Sequence, residues 1–178
     1  MLELELPGEE WFNDETQEFQ YGKPTVLRLE HSLVSIAKWE AIWKKPFLSN
    51  KNKTVEETVD YIRCMTISQN VNPDVYTRLS NRELEIIKNY IQEERTATTF
   101  AQTEKHSRRI VTSELIYFWM SQYNIPIECQ KWHFSRLMAL IRIANAENTP
   151  KKSMSKQAIL SQNRSLNAAR RKAMRTKG

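Results

Sequence analysis

Glycine is scarce in this sequence, with three residues among 178, and cysteine is scarcer still, with two. Tight primed hairpin turns and phosphate-cradling loops need backbone that accepts positive φ, so a shortage of glycine disfavours both and favours helices. A secreted scaffold of this length that relied on disulfides would usually carry more cysteines than Cys64 and Cys129. We therefore expect a mainly helical protein in a reducing compartment.

The sequence also lacks the pattern of an N-terminal signal peptide and of a membrane-spanning segment. The first residues, MLELELPGEE, have neither the positive start nor the apolar stretch of a signal peptide, and no window reaches the ~18 apolar residues of a membrane span. The apolar fraction is nevertheless 40%, with five Trp, six Tyr and six Phe, which is typical of a chain that folds. We expect a soluble protein without a membrane partner.

Acidic residues are absent after Glu147, and charge is therefore unevenly distributed. Up to that position 18 Lys and Arg stand against all 21 Asp and Glu, whereas nine basic residues and no acidic ones follow it. Residues 1–30 are the most acidic part, with eight acids against Lys23 and Arg28. The net charge of +6 thus belongs to the C-terminal segment and not to the body.

Residues 1–30 show the pattern of short strands. Leu2, Leu4 and Leu6 alternate with glutamates until Pro7-Gly8, and 25–30 form a second apolar stretch after a Gly-Lys-Pro turn signal. Phe19 and Tyr21 are candidates for a short strand between the two. We predict a small antiparallel sheet or hairpin.

From Ser32 onwards the apolar spacing changes to three and four, which predicts helices. The first runs over 32–45 and is ended by Pro46. Two capping boxes, Thr54–Glu57 and Ser80–Glu83, predict the starts of a helix over 55–67 and of a third helix that fades near Arg95. A polar linker over 96–107 follows.

Two further helices complete the predicted five-helix body. The fourth should be largely buried, because it is the densest apolar stretch and places four side chains on one face: Val111, Leu115, Trp119 and Tyr123. The fifth runs from about Ile127 to Ala146, after an Asn-Ile-Pro turn. Helices joined by so short a turn should pack antiparallel, and we expect this pair at the centre of the domain.

The composition changes at Thr149–Lys152, after which Gln, Asn, Ser, Arg and Lys dominate. A helix over 155–175 would carry only a thin apolar strip, too thin for independent stability in water. The predicted fold is thus α+β and mainly α: an N-terminal β element over 1–30, a helical domain over 31–148, and a basic C-terminal tail or helix over 149–178 that is mobile until it finds a partner.

Cys129 and His133 are the strongest candidates for chemistry, because residues four apart share one face of the predicted fifth helix. Structural zinc needs four ligands, and neither Cys64 nor His31 or His106 supplies a second pair. A Cys–His nucleophile pair would need an orienting group and an oxyanion site that are not recognisable. A buried thiol beside a hydrogen-bonded histidine is the commoner arrangement, so we expect no catalytic residue, no metal and no cofactor.

The tryptophans Trp39, Trp43, Trp119 and Trp132 lie in or beside helical apolar stripes, so core packing is their default role. Stacking on bases and binding of an apolar segment are the functional alternatives. An exposed pair of Trp39 with Trp43, near Pro46, would suit a protein-binding groove.

The basic tail is the clearest functional feature of the sequence. Its arginines and lysine are candidate partner-binding residues: Arg164, Arg170, Arg171, Lys172 and Arg175. They could neutralise nucleic-acid phosphates, bind an acidic protein surface, or only solvate the tail.

Four segments, taken together and in this order, resemble the small tail assembly chaperone of long-tailed bacteriophages. They cover most of the chain: LRLEHSLVSIAKWEAIWKKPFL (27–48), KTVEETVDYIRCMT (53–66), IVTSELIYFWMSQYNIPIECQKWHFSRLMALIRIAN (110–145) and MSKQAILSQNRSLNAARRKAMRTKG (154–178). These are core-like segments and contain no catalytic signature, so no functional residue is carried over.

The resemblance implies a non-enzymatic factor in the host cell cytoplasm. It would bind the aggregation-prone tape measure protein, keep it soluble, and help recruit subunits of the major tail protein, with self-association possible. It also implies a longer product made by ribosomal frameshifting, which a protein sequence cannot show. Two alternatives stay open: a nucleic-acid-binding accessory protein acting through the basic tail, and a structural virion or connector component.

Overall fold

The computed structural model describes residues 1–8, 10–50, 52–100, 110–149 and 156–174. The fold is α+β and mainly helical, as predicted, and the chain divides into two units, Met1–Asn145 and Ala146–Gly178. The elements are β1 (Leu2–Leu6), β2 (Glu10–Asn13), β3 (Glu18–Tyr21), β4 (Thr25–Leu29), α1 (Leu33–Trp43), α2 (Val55–Met65), a 3₁₀ helix (Pro73–Arg78), α3 (Asn81–Gln92), α4 (Ser113–Gln122), a second 3₁₀ helix (Ile127–Lys131), α5 (Phe134–Asn148) and α6 (Lys156–Met174).

The strands form two separate antiparallel pairs, β1 with β4 and β2 with β3. Between the pairs the chain passes Gly8 and Gly22, and a Cβ on Gly8 would lie 2.0 Å from the carbonyl oxygen of Gly22. Glycine at position 8 is therefore required by the close approach of the two backbones. The β2–β3 turn uses no glycine, because Gln17 adopts the left-handed conformation with φ 54°.

Helix α1 begins at a capping box, in which the Ser32 side chain accepts from the Ser35 amide and Ser35 Oγ accepts from the Ser32 amide. It ends at Lys44, whose left-handed backbone donates to Glu40 O. Pro46 lies beyond this cap, so the predicted stop at Pro46 is two residues late.

Two apolar clusters make up the core. The larger lies where β1 and β4 meet α1, α2 and α3, and includes Leu27, Trp39 and Ile62; the smaller includes Ile116 of α4 and Leu137 of α5. Helix α1 belongs to both clusters and packs against α2, α4 and the second 3₁₀ helix. The expectation that the α4–α5 pair is the centre of the domain is therefore wrong, because α1 has that position.

The predicted fourth and fifth helices both need correction. Helix α4 is not largely buried, since Phe118 is 55% exposed and the fully covered side chains are those of Ser113, Ile116 and Met120. The fifth helix is not continuous from Ile127: a 3₁₀ helix ends at Lys131 and α5 starts at Phe134.

The break between the second 3₁₀ helix and α5 is stabilised by contacts with the start of α1. The Phe134 amide donates to His31 O at 2.7 Å, and Ser32 and His133 form an isolated antiparallel bridge. Because these contacts join the α5 start to the α1 start, they stop the earlier turn from continuing as helix.

Helix α6 confirms the predicted C-terminal helix over its described residues. It has 19 residues with no acid in its first turn and Arg171 and Lys172 in its last. The described side chains of this helix are all exposed. None of the described helices is long and apolar enough to cross a membrane.

Candidate partner-binding surfaces

Trp39 is a core residue and not a surface one. It is fully buried, its Nε1 donates to Glu57 O at 2.8 Å, and its ring contacts Phe47 edge to face at 5.1 Å between centroids. The sequence-based suggestion of an exposed Trp39–Trp43 pair is therefore wrong for Trp39, because α2 and the loop after α1 cover its indole.

Trp43 lies at the margin of the same cluster. Its ring stacks on Trp39 with centroids 6.2 Å apart, and Lys45 Nζ lies 5.6 Å from the ring centroid. Its Nε1 is buried and has no hydrogen-bond partner among the described residues. Trp43 thus offers at most one half-buried ring to a partner.

Cys129 and His133 do not share a helical face, because Cys129 lies in the second 3₁₀ helix and His133 immediately precedes α5. Cys129 is buried in the smaller apolar cluster. His133 Nε2 is 3.2 Å from Tyr90 O and its Nδ1 is 2.8 Å from Ser135 Oγ. Within the described ranges, no group of three or more His, Cys, Asp or Glu side chains could hold a metal ion.

A buried histidine–tyrosine network, which the sequence did not suggest, joins the starts of α1 and α5 to α2 and α3. The imidazoles of His31 and His133 lie 5.3 Å apart between centroids, and His31 Nδ1 shares a hydrogen bond with the Tyr61 hydroxyl. Tyr61 is also 3.3 Å from Ser35 Oγ, and the Tyr90 hydroxyl donates to Glu30 Oε1 at 2.6 Å.

Burial keeps the imidazoles of His31 and His133 uncharged. Burial, with a smaller contribution from the charge of His133, lowers the pKa of His31 to about 3, and burial also lowers the pKa of His133. Burial raises the pKa of Tyr61, and burial together with the Glu30 carboxylate raises that of Tyr90. The two imidazoles therefore join secondary-structure elements through uncharged hydrogen bonds, whereas Tyr90 donates to the charged Glu30. The four rings of the network are scattered singly through the sequence, so no motif reveals it.

Two surface clefts of about 310 and 460 Å³ lie beside the N-termini of α2 and α3. The carboxylate at the helix N-terminus in each cleft is already bonded: Glu57 accepts from Lys45 Nζ at 2.6 Å and from the Thr54 amide, and Glu83 accepts from the Ser80 amide at 2.7 Å. The hydrogen bond from Lys45 holds the pKa of Glu57 below its usual range. Both carboxylates therefore act as helix caps.

The β2–β3 hairpin exposes three aromatic side chains. Trp11 is 48% exposed, Phe12 45% and Phe19 61%. Phe12 and Phe19 are cross-strand partners whose ring centroids are 5.1 Å apart, edge to face. Trp11 precedes Phe12 in β2 and therefore lies on the opposite face of the strand. The exposed Phe12–Phe19 pair makes this hairpin a candidate interaction surface. The sequence pattern predicts a strand at Phe19, but none of these three aromatic residues is among the predicted binding candidates.

The predicted cations of the tail are presented along α6. Arg164, Arg170, Arg171 and Lys172 are exposed, whereas Arg175 lies outside the described residues. Among them lie exposed apolar side chains, with Ile159 44%, Leu160 59% and Leu166 48% exposed. The helix therefore offers a partner both charge and apolar area.

Comparison of the chain with known family models, with curated proteins and with solved structures gives no match.

Proposed function

We propose that this chain is a phage tail assembly chaperone. In the host cytoplasm it binds the tape measure protein, keeps it soluble and helps to recruit subunits of the major tail protein, without a cofactor or a catalytic step. The observation that carries the proposal is the exposed apolar and cationic surface of α6. The sequence resemblance described above supports the same assignment.

Helix α6 has the shape that a client-binding arm needs. Its 19 residues span about 28 Å at 1.5 Å per residue, and Ile159 and Leu166 recur after two helical turns on one face. An amphipathic helix of this kind binds by laying its apolar face against another helix or a groove. Because the stripe is thin, each contact is weak, which suits a chaperone whose client must later be released to the tube subunits.

Co-expression with the tape measure protein of the same phage tests the proposal. The soluble fraction of the tape measure protein should rise when the full-length chain is present and fall again with the variant Ile159→Ser/Leu166→Ser. The matched control is Gln157→Ser/Asn167→Ser, which alters two exposed polar positions of the same helix. A tape measure protein that stays equally insoluble with and without the chain would remove the proposal.

Nucleic-acid binding through α6 is the second candidate, favoured by four exposed cations on a helix without an acid. If they contact duplex phosphates, the logarithm of the binding constant should fall with the logarithm of salt concentration with a slope of about −4. Replacing all four by glutamine should abolish this binding, whereas Ile159→Ser/Leu166→Ser should spare it. Detection of the chain in purified virions would favour a structural component.

A further inference from the structure

The β2–β3 hairpin combines its aromatic rings with charge of one sign. Residues 10–21 contain four acids (Glu10, Asp14, Glu15 and Glu18) and no base. The turn is built by Asn13, whose Oδ1 accepts from the amide of Glu15 at 2.9 Å, and the side chains of Asp14 and Glu15 are exposed beside it. The hairpin is therefore an apolar surface with an acidic rim.

Helix α6 has the complementary chemistry. Residues 156–174 contain five bases and no acid. Arg170 follows Leu166 by four residues, so it shares a helical face with Leu166 and Ile159. The apolar face of the helix is thus bordered by positive charge, as that of the hairpin is bordered by negative charge.

We infer that the β2–β3 hairpin of one copy binds helix α6 of a second copy of this chain. Phe12 and Phe19 are exposed in the first unit, and Ile159 and Leu166 are exposed in the second. A second copy brings to each surface the partner that its charge and apolarity fit. The inference goes beyond the chaperone proposal and does not depend on a client.

The dimensions of the two surfaces agree. Phe12 and Phe19 are direct cross-strand partners with ring centroids 5.1 Å apart, and Ile159 and Leu166 are about 10.5 Å apart along the helix axis, so the two aliphatic side chains can contact the aromatic pair from either side. The contact is smaller than a standard stable interface, so association should be weak and in the micromolar range. It should weaken further with salt, because the rim charges are exposed and screened within about 8–10 Å.

Sedimentation velocity on the full-length chain, from low to high micromolar concentration, measures this association. The natural chain should show a weight-average sedimentation coefficient that rises with concentration, and Phe12→Ser/Phe19→Ser should remove the rise. Ile42→Ser/Val55→Ser is the matched control, because it removes two apolar side chains elsewhere that are 59% and 80% exposed, and it should leave the rise unchanged. A natural chain that stays monomeric at all concentrations overturns the inference.

Charge reversal tests the pairing itself without altering the aromatic rings. Asp14→Lys/Glu15→Lys brings the net charge of residues 10–21 from −4 to 0, and Arg170→Glu/Arg171→Glu brings that of residues 156–174 from +5 to +1. Each variant alone should therefore associate much more weakly than the natural chain. An equimolar mixture should associate again, because the unaltered hairpin of one variant meets the unaltered helix of the other. A mixture that remains monomeric, while the natural chain associates, overturns the hairpin–helix pairing.

Discussion

The two strand pairs of this protein are built alike, and yet one is part of the core and the other is a surface. Both are antiparallel with four or five residues in each strand. Leu27 and Leu29 of β4 are fully buried because helices cover their face, whereas Phe12 and Phe19 of the second pair remain exposed. Apolar residues on a strand pair therefore predict that one face is buried against another element. They do not show whether that element belongs to the same chain or to another one.

The largest expected difference between the two pairs is in the cost of truncating their apolar side chains. Leu27→Ala should lower the free energy of unfolding by about 3 kcal/mol, because it leaves a cavity in the larger cluster. Val26→Ala, on the exposed face of the same strand, is the control and should cost less than about 1 kcal/mol. Urea denaturation measures both, and equal losses would contradict the assignment of β4 to the core.

The second-largest expected loss of stability follows from changing a buried carboxylate, that of Glu40. Glu40 accepts from the Phe47 and Ser113 amides, each at 2.7 Å, and so fixes both the loop after α1 and the N-terminus of α4, where Thr112 makes no side-chain cap. Glu40→Gln should cost about 2 kcal/mol, because it replaces one acceptor oxygen by an amide nitrogen. Exposed Glu85→Gln should change stability little, and an equal effect of the two variants in urea denaturation would count against the double cap.

The body should also respond to acid through His31, whereas the hairpin contains no histidine. The pKa of His31 is about 3 in the native state and ordinarily about 6.5, so between these values the unfolded chain binds a proton that the native chain does not. Stability should therefore fall as pH drops below about 6.5, by up to about 1.4 kcal/mol per pH unit for this imidazole, and level off near pH 3.

Urea denaturation between pH 7.5 and 5 measures this effect before the carboxylates contribute. Glu57, with its lowered pKa, loses its stabilising charge only as the pH falls below the ordinary carboxylate range. His31→Gln should reduce the pH dependence while lowering stability at pH 7.5. An unchanged pH dependence in this variant would contradict the burial of a neutral imidazole at position 31.

The features that sequence predicted well are those set by neighbouring residues. The Thr54–Glu57 and Ser80–Glu83 capping boxes both form, and α2 and α3 begin directly after Thr54 and Ser80. A capping box satisfies backbone donors within a single turn, so its energetics do not depend on the rest of the fold. The alternation of leucines in β1 is equally local and was also confirmed.

The features that sequence missed depend on distant contacts. The break before α5 is held by His31 O, and the burial of Trp39 depends on Glu57 O of the following helix, a partner that periodicity cannot identify. Strand β2 is not predicted, because its apolar residues Trp11 and Phe12 are adjacent and do not alternate with polar ones. Its turn needs no glycine, since Gln17 adopts positive φ. The aromatic hairpin is therefore absent from the predicted binding surfaces.

The smallest expected effect on stability is at the exposed aromatic pair, and there the contrast between the two strand pairs is sharpest. Phe12→Ala should lower the free energy of unfolding by only about 0.5 kcal/mol, because the ring loses its edge-to-face contact with Phe19 but little burial. A double-mutant cycle with Phe19→Ala, measured by urea denaturation at a concentration where the chain is monomeric, should give a coupling energy of about the same size. A loss like that expected for Leu27→Ala would show that the chain's own body already covers these rings, and would leave no open hairpin surface for a second copy.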